Sequence, residues 1–246
     1  MECLYRYRPI NDHTQDILRK NRLYFMGPVE LNDPFDCQLP LDFRASRAEL
    51  ERINCGGAPE GTKRKDIVRQ IRSLKLHKNP EYQARVREAF QQERENWSLC
   101  CFSAIGDSIL MFSHYADRHR GICLAFSPGS KVRLGRPLPV IYSDSYPKLR
   151  YAQIRSSGGT LAESLFLTKF SSWKYEAEWR IVRHDTPPGL ASFLPSDLTG
   201  IIFGCRTSDA DNEKVKGWVA EGEGKPLFYR AAVNPKKFKL DLAPMC

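Results

Sequence analysis

Trp173-Lys174-Tyr175-Glu176-Ala177-Glu178-Trp179-Arg180-Ile181-Val182 sets two carboxylates two residues apart in an otherwise aromatic and β-branched stretch. Ile181 and Val182, with Tyr175 and Trp179 beside them, favour a strand over a helix. Strand side chains alternate, so the spacing predicts Glu176 and Glu178 on one face. Two crowded carboxylates suit a general base or a group that stabilises an oxocarbenium ion. The competing explanation is structural: a sheet-edge pair salt-bridged to Lys174 and Arg180.

Outward from this segment, Leu4 to Arg8 reads as a strand ended by Pro9, and Asn11-Asp12 caps a short amphipathic helix from His13 to Lys20. Leu23 to Phe25 returns as a strand, and Asn32 to Asp36 is a turn built on Asx side chains and Pro34. Ser98 to Ser103 is a buried strand, Ser108 to Ala116 a helix, and Gly121 to Phe126 and Leu138 to Tyr142 further strands. A helix is expected over Gly159 to Lys169, just before the acidic segment. Ile201 to Phe203, apolar between Gly200 and Gly204, is expected at the centre of a sheet. Asp209 to Val219 reads as a helix, with Pro226 to Arg230 and Lys236 to Leu240 as closing strands. Strands that alternate irregularly with short helices predict an α+β fold rather than a doubly wound parallel sheet.

At 246 residues the chain can bury a sizeable core as a single domain, 1–246. The eight cysteines show no C-x-x-C spacing, which points to a reduced, cytoplasmic protein without structural zinc. The N-terminus has no apolar signal region, and no stretch is long enough to span a bilayer. A net charge of +9 implies an anionic partner. Much of the charge lies between Lys63 and Glu95, where two helices broken at Asn79-Pro80 are expected, with Ile67, Ile71 and Leu74 as a narrow apolar stripe. This makes 44–97 a helical insertion. Lys63, Arg64, Lys65, Arg69 and Arg72 are its candidate nucleic-acid contacts, against the alternative of an ordinary solvated hairpin.

The P-loop, dinucleotide-binding, zincin and nucleophile-elbow patterns are all missing, and the five histidines form no metal-ligand spacing. What remains is a set of polar residues at the ends of predicted strands: Arg6 and Arg8, Ser103, His114 and Tyr115, Glu176 and Glu178. Tyr7 falls on the opposite face from Arg6 and Arg8 and is expected in the core.

The ordered segments L-Y-R-Y-R-P from Leu4, R-L-Y-F and L-N-D-P-F-D-C from Arg22 and Leu31, C-F-S from Cys101, M-F-S-H-Y-A-D from Met111, G-I-C-L-A-F from Gly121 and the acidic segment resemble a bacterial family known as domain of unknown function 2971. The likeness runs from Leu4 to Gly204 and implies no activity. A more distant resemblance is to the ADP-ribosyltransferase fold, which has a basic residue on its first strand, a serine on a middle strand and a glutamate on a later one. Ala177 to Val182 is similar to the glutamate strand of its nucleic-acid-directed members, and Glu176-Ala177-Glu178 has the E-x-E form of its arginine-directed ones. This sequence has Arg6 where many members carry His, and Cys-Phe-Ser where they carry Ser-Thr-Ser.

That resemblance implies a split mixed β-sheet core with short helices around an NAD site. Glu178 would be catalytic and Glu176 its assistant. Arg6, or Arg8 in its place, would bind the cofactor with His114 and Tyr115, and Ser103 would position Glu178. The activity implied is transfer of ADP-ribose from NAD to nucleic acid or a translation component, as in a toxin or antiphage effector. NAD hydrolysis is the nearest alternative. A nucleic-acid-binding module or metal-dependent nuclease built on the basic hairpin, without NAD chemistry, is the other.

Overall fold

The computed structural model describes residues 3–38, 40–42, 48–49, 51, 55, 61–74, 79–127, 134–147, 149–150 and 165–245. In chain order the principal elements are β1 (Leu4–Arg8), α1 (Asp12–Lys20), β2 (Arg22–Phe25), β3 (Leu41–Asp42), α2 (Arg64–Leu74), α3 (Pro80–Glu95), β4 (Ser98–Ser103), α4 (Ile109–Tyr115), β5 (Ile122–Phe126), β6 (Leu138–Pro139), β7 (Ile141–Ser143), β8 (Leu149–Arg150), β9 (Thr168–Phe170), β10 (Glu178–Arg183), β11 (Gly189–Ser192), β12 (Leu198–Phe203), α5 (Asp209–Ala220), β13 (Leu227–Val233) and β14 (Leu240–Pro244). They group into two compact units: Met1–Gly27 with Ser98–Val140 and Ser172–Cys246, and Pro28–Trp97 with Ile141–Ser171. The second unit is thus wider than the expected insertion over 44–97. Two parallel strand pairs, β3 with β8 and β7 with β9, account for the difference.

The fold is α+β. The first unit is built on an eight-stranded mixed sheet ordered β14-β13-β12-β5-β1-β4-β10-β6. Only β12 and β13 run parallel in it; the other neighbours are antiparallel. Between β1 and β4 the register holds a single pair, Tyr5 with Ser103, whereas β1 and β5 pair along all five residues of each strand. As the apolar run predicts, β12 lies inside the sheet, between β13 and β5.

Alternation along β1 sorts the two faces of this sheet. Leu4 joins Cys100, Phe102, Leu124 and Phe126 in a core that Ile17 and Leu18 of α1 and Val215 and Trp218 of α5 complete. Tyr7 packs on the other face with Met111, Phe112, Cys123 and Ile202, its ring edge-on to Phe112 at 4.9 Å. The Tyr7 hydroxyl donates to the Ile105 carbonyl at 2.7 Å and accepts from Ser108 N at 3.2 Å. It thereby anchors the start of α4. Asn11 caps α1 as expected, accepting from Thr14 N, and of the two residues that could cap α4 from the sequence, Asp107 and Ser108, it is Ser108 that accepts from Met111 N.

Four expected elements differ. Ser171–Glu176 is a 3-10 helix, so the strand begins at Glu178 and not at Trp173. The strand expected over Leu138 to Tyr142 divides at Val140, where β6 pairs with β10 and β7 with β9. Thr168–Phe170 is a strand and not the end of a helix; residues 159–164 of that expected helix lie outside the described residues. Lys236 to Lys239 form a turn, because Asn234 Oδ1 accepts from the backbone N of both Lys236 and Lys237, and the last strand starts at Leu240.

In the second unit, α3 begins at Pro80, and Asn79 Oδ1 accepts from Tyr82 N at 3.1 Å. Ile71 of α2 is buried, whereas Lys63, Arg64, Lys65 and Arg69 are exposed. Arg72 lies on the same helix. Lys75 and Lys78 of the same basic stretch lie outside the described residues. A buried Lys169–Asp36 ion pair at 3.8 Å and the stacked rings of Trp97 and Phe166 tie together chain-distant parts of the unit. Among the described residues, no helix is long and apolar enough to cross a membrane.

Candidate active site

β10 pairs with β4 so that Glu178 lies opposite Ser103, and Ser103 lies opposite Tyr5 of β1. Cross-strand partners share a face, which places Tyr5, Ser103 and Glu178 together. Arg180, opposite Cys101, is on that face as well. The strands that carry Arg6, Ser103 and Glu178 are therefore neighbours, although their sequence positions are far apart.

Arg6 is nevertheless on the opposite face from Glu178. Its guanidinium donates from Nη1 to Cys100 Sγ at 2.7 Å and to the Cys101 carbonyl at 3.0 Å, and it lies over the Phe102 ring. Arg8 follows by the period of two. Burial, and then the neighbouring Arg6 charge, lower the Arg8 guanidinium to about 10, so it is cationic at neutral pH. The expectation that Arg6 or Arg8 joins Glu178 in one ligand site is corrected by this parity: Tyr5 and Tyr7 are the β1 residues on the acidic face. Burial pushes the Cys100 thiol up, although Arg6, Arg183 and Arg8 pull it down.

The two glutamates come together for a different reason from strand alternation. Glu176 ends the 3-10 helix, Ala177 takes a left-handed φ of 44°, and Glu178 opens the strand. A left-handed conformation is uncommon without glycine and needs external support. Ala177 O accepts from Ala104 N at 2.9 Å, and Ser103 Oγ donates to the Glu176 carbonyl at 2.7 Å. Ser103 also accepts from Ile105 N at 3.0 Å. It positions the turn through the Glu176 backbone and not, as expected, through the Glu178 side chain.

The two carboxylates have different partners. Glu178 is 5 % exposed, and both its oxygens accept from Arg180, Nε at 2.7 Å and Nη2 at 3.0 Å. This is the Arg180 half of the structural alternative, with bidentate geometry in a dry setting. Glu176 is also buried, and its Oε1 accepts from the Tyr115 hydroxyl at 2.5 Å. His114 is exposed, its ring 6.0 Å from that of Tyr175, which in turn lies 6.0 Å from Trp173.

No protein-family model, curated protein or solved structure matches this chain.

Of the candidate residues, the structure thus assembles Ser103, Tyr115, Glu176 and Glu178, with His114 at the margin. Arg6 and Arg8 are on the reverse face, and the basic residues of α2 belong to the second unit. Tyr5 was missed by the sequence reasoning. It is close-packed on Gly106, where a Cβ would lie 2.5 Å from the Tyr5 ring, so a larger residue there would have to push that ring aside. The period of two from Tyr7 was the available signal.

Proposed function

We propose that the face formed by Ser103, Glu176 and Glu178 cleaves the nicotinamide–ribose bond of NAD and passes the ADP-ribosyl group to an acceptor, with nucleic acid or a translation component as the acceptor class. The observation that carries this reading is the turn at Ala177, which puts two buried carboxylates on either side of one left-handed residue and clamps them through Ser103. Bond cleavage sends the electron pair to the nicotinamide nitrogen and leaves an oxocarbenium-like ribosyl centre. A fixed carboxylate stabilises that charge as it develops. Glu178, held by Arg180, is preorganised for that role. Glu176 takes the proton of the incoming nucleophile once Tyr115 releases it. Tyr5 and Tyr175 offer aromatic surface, and no arginine of β1 contributes. Water in place of the acceptor would give NAD hydrolysis.

The test is nicotinamide release from NAD labelled in the nicotinamide ring. Glu178→Gln is expected to slow release by about 10²- to 10³-fold, the scale seen when one preorganised electrostatic contact is lost. Circular dichroism and melting of the variant show whether it is folded at the assay temperature. Equal release by folded variant and wild type overturns the proposal.

A further inference from the structure

A hollow of about 730 Å³ on the first unit is lined by Ile109 at the start of α4, by Arg118, His119 and Arg206, and by the β13–β14 turn. Its size is that of a small-ligand site, for which about 300–1,000 Å³ is usual. Ile109, Val233 and Leu240 supply apolar lining, and the other lining residues include Arg118, Arg206, Lys236 and Lys237.

The backbone fixes the loops that carry these cations. Asp117, Arg118 and His119 take successive left-handed φ angles of 44°, 54° and 70°. Arg118 N donates to Ser113 O at 3.3 Å and His119 N to Phe112 O at 3.1 Å, which folds this loop back on α4. Gly204 lets the next loop approach, since a Cβ there would lie 2.2 Å from His119 O, and Arg206 N donates to that same carbonyl at 3.0 Å. The loops that carry Arg118 and Arg206 are therefore stapled to each other. Across the hollow, Asn234 organises the turn by accepting from Lys236 N and Lys237 N, and its Nδ2 donates to Asp241 at 2.6 Å. This turn leaves Phe238 fully exposed.

Lys239 is paired with Asp241 at 3.2 Å. Arg118, Arg206, Lys236 and Lys237 form no ion pair among the described residues. Four cations outside any ion pair, on loops whose backbones are tied down around a hollow beside a bare aromatic ring, suit an anionic ligand that also has a flat apolar face. A nucleobase with its phosphates has both.

We propose that this hollow binds single-stranded nucleic acid, with phosphates on Arg118, Arg206, Lys236 and Lys237 and a base stacked on Phe238. A single strand fits better than a duplex because its bases have free faces for stacking. It fits better than one free nucleotide because the cations come from three separate loops. The site uses none of the residues assigned to NAD, so the proposal does not depend on that chemistry.

Fluorescence anisotropy with a labelled twelve-nucleotide single strand tests it on the full chain. With four phosphates neutralised, log affinity is expected to fall against log salt with a slope of about −3, from about 0.7 per contact. Lys236→Glu with Lys237→Glu is expected to weaken binding at least tenfold and to flatten the slope by about 1.4. Phe238→Ala should weaken binding by about 5- to 150-fold with the slope unchanged, the range expected for one stacked base. All three side chains are exposed, so these variants should fold. Wild-type affinity in both variants overturns the site. So does loss of binding only in Arg64→Glu with Arg69→Glu, which would move the contact to α2. Competition by a mononucleotide as strong as by the strand overturns the strand assignment, and displacement only by strands supports it.

Discussion

Arg180→Ala is expected to destabilise the first unit by about 3–5 kcal/mol, because it strands a buried carboxylate without its cation. Arg180 has no exposed surface at all, and Glu178, at 5 %, has almost none. Neither charge can turn to water when the other is removed. Replacing both by apolar residues, Arg180→Met with Glu178→Leu, removes the charges together and is expected to recover much of that loss. Urea unfolding of Arg180→Met, Glu178→Leu and the double closes the cycle. Single variants within about 1 kcal/mol of wild type, the scale of an exposed ion pair, would show that the pair is solvated and that Glu178 is not held as described. The same coupling is why a Glu178 variant must be shown to be folded before its activity is interpreted.

The second large effect concerns Glu176. Its Oε1 accepts from the Tyr115 hydroxyl, and Glu176→Gln keeps an amide oxygen that can accept the same hydrogen bond while removing the carboxylate. A general base acting on the acceptor contributes about 10²- to 10⁴-fold. Glu176→Gln is therefore expected to lower ADP-ribosyl transfer by that factor, while release of nicotinamide falls much less. Tyr115→Phe, which removes that one hydrogen bond, is expected to keep or raise transfer. Parallel assays of labelled acceptor and released nicotinamide separate the two steps. Equal losses in both steps for Glu176→Gln would assign Glu176 to bond cleavage and remove its separate role.

The elements most legible in the sequence are those with strong local signals. The Asn11 cap, the apolar strands from Ser98 and Gly200, and the burial of Tyr7 all follow from spacing and side-chain type. The acidic segment was legible in composition and not in conformation. Tyr175 and Trp179 favour a strand, but the chain bends at Ala177 because Ser103 and Ala104, more than seventy residues earlier, hold the Glu176 and Ala177 carbonyls. No local propensity reports such a tertiary clamp. Arg6 shows another limit. Its position on β1 was readable, but its face relative to Glu178 depends on the pairing of Tyr5 with Ser103. A shift of one residue in that register would have reversed the outcome. At Asn234 the strand pattern failed because one side chain capping two backbone N–H groups outweighed the alternation in Lys236 to Leu240.

On the proposed function, the sugar is expected on the Tyr5–Ser103–Glu178 face of the sheet and not on the Arg6 face. A crystal structure of the chain with a hydrolysis-resistant NAD analogue tests it most directly. The nicotinamide ribose is expected within hydrogen-bond distance of Glu178 or Glu176, with Tyr115 displaced from Glu176. Analogue bound against Arg6 and Arg8, or crystals that take up none at saturating concentration, would contradict it.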